Sequence, residues 1–450
     1  MGNLMKLCTN VFKLNTPLIY AGIPELFREY VSILDVGEGP PASLKNKLVE
    51  ISGSDKLSRK EALLDLEELM FYVTQVYSGK RYFEKGGYDF FKAFLRLKKE
   101  IRQYSMLSVG ELGKIIFEEL STGIKDRHFL ITVPGDRSYV LGKTKQAYFT
   151  DLIVEEVDGV LKVLKSSVEM VWPGAVVSCE PTYLFPTLSP LGRKFYLVGT
   201  RSYHPVESIP IRINEIYYKL AVHKCRASET RRFGRALFER EDKGEIKVVN
   251  SDSFALDADV KPGFARKIGE SLKDSRCVVW NMLSNTGGAA SYPKAFIEGL
   301  NGYAQSTWSM AWLKTPYTDF EHMKDWYREW EFKMESNYDY AQGNYEGALL
   351  VLVNSKTASI AEMGVGYAKS IRNHFLIGEN TCGMGTFGEQ MSYRLTNSGI
   401  EITLGCKIYL GNMKEGEGYE PDFWVDNMNI REEVISWLEL GPAYEPTWMK

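Results

Sequence analysis

The chain has 450 residues, of which 44% are hydrophobic, 25% charged and 13% aromatic, and its 55 Lys and Arg against 58 Asp and Glu leave a net charge of −3. This balance excludes a disordered chain, a collagen-like repeat and a disulfide miniprotein, and at roughly 150 residues per domain it predicts about two to three domains. Near-neutral charge gives no reason to expect a nucleic-acid partner.

Six scattered cysteines (Cys8, Cys179, Cys225, Cys277, Cys382 and Cys406) form no C-x-x-C, and the five histidines form no H-E-x-x-H. Neither a metal site nor a disulfide framework is expected, and no motif asks for a cofactor. No apolar run approaches the roughly 18 residues of a membrane span. The segment Met1 to Leu14 lacks the apolar stretch of a secretory signal, so the expectation is a cytoplasmic chain as written, or an exported one if a leader has been removed.

Residues 1–125 read as a helical domain. Ser58 and Glu61 form an S-x-x-E capping box ahead of Leu63, Leu66, Leu69, Met70, Val73 and Val76 at helical spacing. A second amphipathic stretch covers Tyr88 to Tyr104, and Ser108 and Glu111 open a third. From His128 to Val133 the pattern turns to strand. Residues 126–240 then read as a β-rich middle region, with a hairpin turn at Asp158-Gly159 and further strands at Phe195–Val198 and Ile209–Val222.

Residues 241–450 alternate strand and helix. Strands are predicted at 246–249, 277–283, 308–313, 348–353 and 375–377, and helices near 262–273, 292–302, 320–336 and 359–371. A β-α-β-α rhythm predicts an α/β layer fold with parallel pairing. The tail from Met391 to Leu410 returns to β around Asn397-Ser398-Gly399. The pairs among Trp308, Trp312, Trp326 and Trp330 are expected to be core packing.

Several local motifs have two readings. Gly383-Met384-Gly385-Thr386-Phe387-Gly388 fits G-x-G-x-x-G, but Met391 to Leu395 after it alternates like a strand, so it reads as a glycine-rich turn and not a nucleotide cradle. The apolar run Ala348 to Val353 is a buried strand, broken by Asn354 to Ala358 before a helix opens at Ser359. A serine at that junction can be a nucleophile beside unpaired helix N–H groups, or with Glu362 a plain capping box. Asn285-Thr286-Gly287-Gly288 offers backbone donors or is a simple turn. Asp126 and His128, at a helix-to-strand junction, are equally compatible with a turn residue and a structural histidine.

Taken in order, these segments resemble the S41 family of serine peptidases, which includes the tail-specific C-terminal processing proteases and the tricorn core protease. Val353 to Glu362 looks like the family's nucleophile segment, and Phe375 to Gly383 like the strand and glycine-rich turn that follow. Gly418-Tyr419-Glu420-Pro421-Asp422 resembles its closing G-x-x-P-D. Asn281 to Gly288 is similar to its D-x-R-x-N-x-G-G, and Asp126-Arg127-His128 to its upstream D-x-H. Three positions depart from the tail-specific pattern: the lysine that serves as base is replaced by Met384, and the D-x-R pair by Asn281 and Leu283.

The resemblance implies a ClpP/crotonase-like α/β protease core, preceded by the helical domain and by a middle region with a faint PDZ-like segment at Val171 to Val177. On the tricorn-type pattern Ser359 is the nucleophile, His128 its base and Glu415 an assisting acid, with Glu417 two residues away as the competing alignment. The N–H groups of Gly287 or Gly288 and of Ile360 would receive the oxyanion. The expected activity is a serine endopeptidase acting on peptide or unfolded protein, bound extended along a strand edge. The alternatives are a catalytically inactive peptide-binding protein and an esterase using the same serine.

Overall fold

The computed structural model describes residues 55–190, 192–230, 237–255, 260–304, 308–314, 329–333, 343–411 and 413–447. Predicted features at 1–54, and Trp326, lie outside these. Both early capping boxes form: the Ser58 and Ser108 hydroxyls accept from the Glu61 and Glu111 N–H groups, and each glutamate accepts in return from the serine N–H. They start the helices Arg59–Gln75 and Val109–Leu120, with Phe90–Ile101 between them. Each box is preceded by a three-residue strand, and Lys56–Ser58 pairs with Met106–Ser108.

Among the described residues the main sheet has eleven strands. Its centre runs Ile246–Asn250, Cys277–Asn281, Ala348–Val353, His374–Gly378, Phe423–Trp424 and Leu184–Thr187, each parallel to the next. Phe195–Ser202, Gln146–Val157 and their neighbours continue it, so strands from 146–202 share a sheet with those of 246–424. The α/β fold is therefore as predicted. Every residue of Ala348–Val353 is buried, because apolar clusters cover both faces of the sheet. Each large side chain moved from water in this way stabilises the fold by about 1.5–3 kcal/mol. The Asp158-Gly159 turn joins Gln146–Val157 to Val160–Lys165, with both residues at positive φ as a tight hairpin requires.

A second sheet comprises Glu329–Lys333, Trp308–Lys314, Glu401–Gly411, Leu130–Thr132 and Ser138–Val140, with Phe387–Arg394 also on Glu401–Gly411. Residues 329–333 thus correct the predicted helix at 320–336: they pair antiparallel with Met310–Lys314, and backbone pairing overrides the apparent helical spacing. Trp308 and Trp312 are strand residues, the first edge-on to Tyr367 and the second under the Lys407 ammonium. The helix Ile430–Leu440 is absent from the sequence reading, although Ile430, Val434, Trp437 and Leu438 recur at helical spacing. No helix among the described residues is long and apolar enough to cross a membrane.

The N-terminal helices and the second sheet share one apolar core, in which Leu66, Leu69 and Leu112 meet Phe387, Ile400 and Leu404. Polar contacts fix their register. Buried Asp65 accepts from the Asn397 N–H at 2.8 Å, the Ser398 N–H at 2.7 Å and the Asn397 side chain at 2.8 Å. Glu68 accepts from the Thr396 N–H at 2.9 Å. The first helix therefore grips the hairpin tip that follows Phe387–Arg394. Asp65→Ala leaves two backbone donors unmet and is expected to cost about 3 kcal/mol. Urea unfolding with an unchanged m value measures this, and a loss below about 0.5 kcal/mol would show that other contacts hold the tip.

Candidate active site

Ala348–Val353 delivers the chain to the tight segment Asn354 to Ala358. Asn354 Oδ1 accepts from the Ser284 and Lys356 N–H groups, and the Ala358 N–H donates to the Asn285 carbonyl at 2.9 Å. The chain then bends sharply at Ser359, whose φ of 56° and ψ of −122° lie where non-glycine residues are strained, and enters the helix Ile360–Ala368. The bend carries the serine side chain to a histidine distant in sequence. Its Oγ lies 3.2 Å from Nε2 of His128, a residue 231 positions away.

His128 is 3% exposed. Burial, and then the neighbouring Arg127 charge, push its imidazole down to about 4 from an ordinary 6.5, so the ring is neutral at pH 7. Among the described residues Nδ1 has no hydrogen-bond partner. Asp126 does not touch the ring: its Oδ1 accepts from the His128 backbone N–H at 2.7 Å, and its Oδ2 from the Tyr77 hydroxyl at 2.7 Å. Asp126 is thus a fully buried carboxyl that fixes the backbone of the histidine.

Glu415 accepts from the Arg127 N–H and the Thr386 N–H, both at 3.1 Å. Its carboxyl tip faces inward while the rest of the residue keeps some exposure. Burial raises both Asp126 and Glu415 above the usual carboxylate range, and the Asp126 charge raises Glu415 further. Glu417 enters the same loop through its carbonyl, which accepts from Arg201 at 2.7 Å.

Glu362 is fully buried and takes four donors. Its Oε1 accepts from the Thr381 hydroxyl at 2.6 Å and the Gly383 N–H at 2.7 Å, and its Oε2 from the Met384 N–H at 2.7 Å and the Ser359 N–H at 3.1 Å. Burial raises its pKa against these four bonds. The sequence reading gave Glu362 only a helix-capping role. Here it also ties the helix to the glycine-rich turn, and Met384 takes part through its backbone. The strand Phe387–Arg394 follows that turn, as predicted.

The three predicted oxyanion donors are not equivalent. The Gly287 N–H donates to Asn285 Oδ1 at 2.8 Å and is committed, which leaves Gly288, exposed and bridged to Phe254, and Ile360 at the first position of the helix. Gly287 matters for space instead. At φ +98°, a Cβ there would lie 2.8 Å from the Ile360 nitrogen and 2.9 Å from the Ser359 Cβ. Asn281 is an internal tie, donating to Asn250 Oδ1 and accepting from the Leu283 N–H. No group of His, Cys, Asp and Glu among the described residues could hold a metal ion. Tyr77 is the site residue that the sequence does not reveal, since an aromatic just beyond an amphipathic helix reads as core.

The sequence pattern of Peptidase family S41 matches residues 297–425, a span that contains Ser359, Glu362, Met384 and Glu415 and omits His128, Gly287 and Gly288. Among solved structures the chain is similar to mature CPAF, with 14% identity over 86% of this chain and 97% of that one and a TM-score of 0.48. It is similar to the photosystem II D1 C-terminal processing protease, with 15% identity over 85% and 97% and a TM-score of 0.40. It is also similar to the tricorn protease, with 13% identity over 85% of this chain and 37% of that one and a TM-score of 0.37. No curated protein matches the chain. The S41 resemblance read from motif order thus agrees with the family pattern matched over residues 297–425.

Gly287→Ala is expected to displace the Ser359–Ile360 backbone and to lower turnover at least tenfold, at a stability cost of about 1–3 kcal/mol. Steady-state kinetics together with an unfolding curve measure both, and unchanged kinetics would show that the two loops do not need this close approach.

Proposed function

We propose that the chain is a serine endopeptidase in which Ser359 attacks the scissile carbonyl and His128 Nε2 accepts its proton. The observation that carries this reading is the 3.2 Å approach of Ser359 Oγ to His128 Nε2. A hydroxyl becomes a useful nucleophile only with a base in hydrogen-bond reach, and the imidazole is neutral and able to accept. The Ile360 and Gly288 N–H groups are the proposed donors to the tetrahedral oxyanion. Glu415 acts through the backbone, holding Arg127 beside the base and Thr386 beside the glycine-rich turn. As the tetrahedral intermediate collapses to the acyl-enzyme, the protonated His128 gives its proton to the departing amine, and water then repeats the sequence to free the second product.

A second reading, a non-catalytic peptide binder on the same fold, is favoured by Met384 and by the unpartnered Nδ1 of His128. A fluorophosphonate probe separates the two. The enzyme is expected to be labelled, Ser359→Ala not at all, and His128→Ala slower by on the order of 10²–10⁴-fold. A folded wild type that resists labelling across the pH range would favour the binder. Turnover of peptides against small esters distinguishes a peptidase from an esterase with the same serine.

The sign of the pH dependence follows from His128. The imidazole is the required base above its pKa and is lost as a base below it, so depression to about 4 carries the active form into acid. The labelling rate is expected to fall on the acid side with a midpoint near 4. A midpoint at 6.5 would show that the ring is solvated in the working enzyme.

A further inference from the structure

We propose that Tyr77 is a positioning residue for the Ser359–His128 pair, and that through it the N-terminal helical region holds the base in place. This rests on the serine-peptidase reading above for its consequence, and on independent geometry for its substance. Tyr77 lies just beyond the helix Arg59–Gln75, is 2% exposed, and donates its hydroxyl to Asp126 Oδ2 at 2.7 Å. The other oxygen of the same carboxyl accepts from the His128 N–H at 2.7 Å. One carboxyl therefore bridges the tyrosine hydroxyl to the backbone of the base.

The ring of Tyr77 is fixed as firmly as its hydroxyl. It stands edge-on to Phe129 with centroids 5.1 Å apart, and 5.9 Å from Phe387. Phe129 follows His128, and Phe387 follows Thr386, whose N–H is held by Glu415. Gly79 leaves the room this needs, since a Cβ there would sit 2.4 Å from the tyrosine ring. The adjacent Ser78 ties the segment to the second sheet, donating from both its N–H and its hydroxyl to the Gly405 carbonyl. A phenol buried in this way must find an acceptor, and a buried carboxyl must find donors, so removing either leaves the other unmet. The charged and titratable groups around Asp126 include Tyr77, Arg127, His128 and Glu415.

The test is Tyr77→Phe in the full chain, with Tyr104→Phe as the control for loss of a surface tyrosine hydroxyl in the same region. Two readouts are taken: single-turnover acylation, and hydrogen exchange at the His128 amide. The expected result is a rate lowered at least tenfold with KM within about twofold, amide exchange at His128 faster at least tenfold, and neither change in Tyr104→Phe. Unchanged exchange in a folded Tyr77→Phe protein overturns the proposal, and it does so whether or not Ser359 proves to be a nucleophile. Wild-type acylation with an unaffected Tyr77→Phe rate also overturns it and leaves the serine-peptidase reading intact. If Tyr77→Phe does not fold, Asp126→Asn replaces it, because an amide offers one acceptor oxygen where the carboxyl offers two. The same faster exchange is expected there, and its absence is equally fatal.

Discussion

The buried Glu362 carboxylate, with four donors converging on it, is the interaction from which the rest of the site is built. A carboxylate this far from water is tolerated only when its lone pairs are filled, and three of the four donors come from the turn at Thr381, Gly383 and Met384. The fourth is the N–H of Ser359 itself. The start of the helix Ile360–Ala368 and the glycine-rich turn are therefore locked together. The lock continues outward. Thr381 Oγ1 accepts from the Tyr419 N–H at 2.7 Å, and the Gly416 N–H donates to the Gly383 carbonyl at 2.7 Å. Glu415, next to Gly416, then reaches the Arg127 N–H beside His128. Followed round, these bonds form a closed circuit that leaves Ser359 along its backbone and returns to it through the His128 ring.

Closure of that circuit explains how a strained serine persists. A non-glycine residue at φ 56° and ψ −122° costs about 1–3 kcal/mol, and it survives only where its surroundings leave it no alternative. The N–H of Ser359 is held by Glu362, the residue before it by the Asn285 carbonyl, and the chain after it by the helix. Gly287 lets its loop lie close against Ile360, and the Ala358 N–H to Asn285 carbonyl bond ties the two loops together. The bend that aims the hydroxyl at His128 is thus a property of the assembled loops, and an isolated capping box would not generate it.

This is why the sequence disclosed some parts of the molecule and hid others. Capping boxes, the Asp158-Gly159 hairpin and the apolar run 348–353 are set by residues within a few positions of one another, so they are legible locally. The segment 329–333 was misread because its neighbour in the sheet, Met310–Lys314, outweighs its own spacing. Ser359 and His128 each had an ordinary explanation alone, and only the order of motifs along the chain joined them. Tyr77 had no such help. Its partner is one oxygen of a carboxyl 49 positions away, and nothing in an aromatic residue's neighbours announces that its hydroxyl will be buried. Gly287 illustrates the reverse case: its glycine character was noticed as a source of a donor, while the structure uses it for clearance.

Met384 makes the site's chemistry depend on this long-range architecture. A lysine base twenty-five positions after the serine would sit on the adjoining turn, already fixed by Glu362. On the proposed reading the base comes instead from the helix-to-strand junction at 126–128, buried, neutral and, among the described residues, without a partner at Nδ1. Such a ring accepts the serine proton only if the imidazolium that forms is stabilised as the oxyanion develops. The Asp126 and Glu415 carboxyls, both raised by burial, lie beside it on either side of Arg127. Burial displaces the acids upward and the base downward, each towards its neutral form. On the proposed reading, the acids act on His128 through the backbone bonds that hold it and its neighbour Arg127.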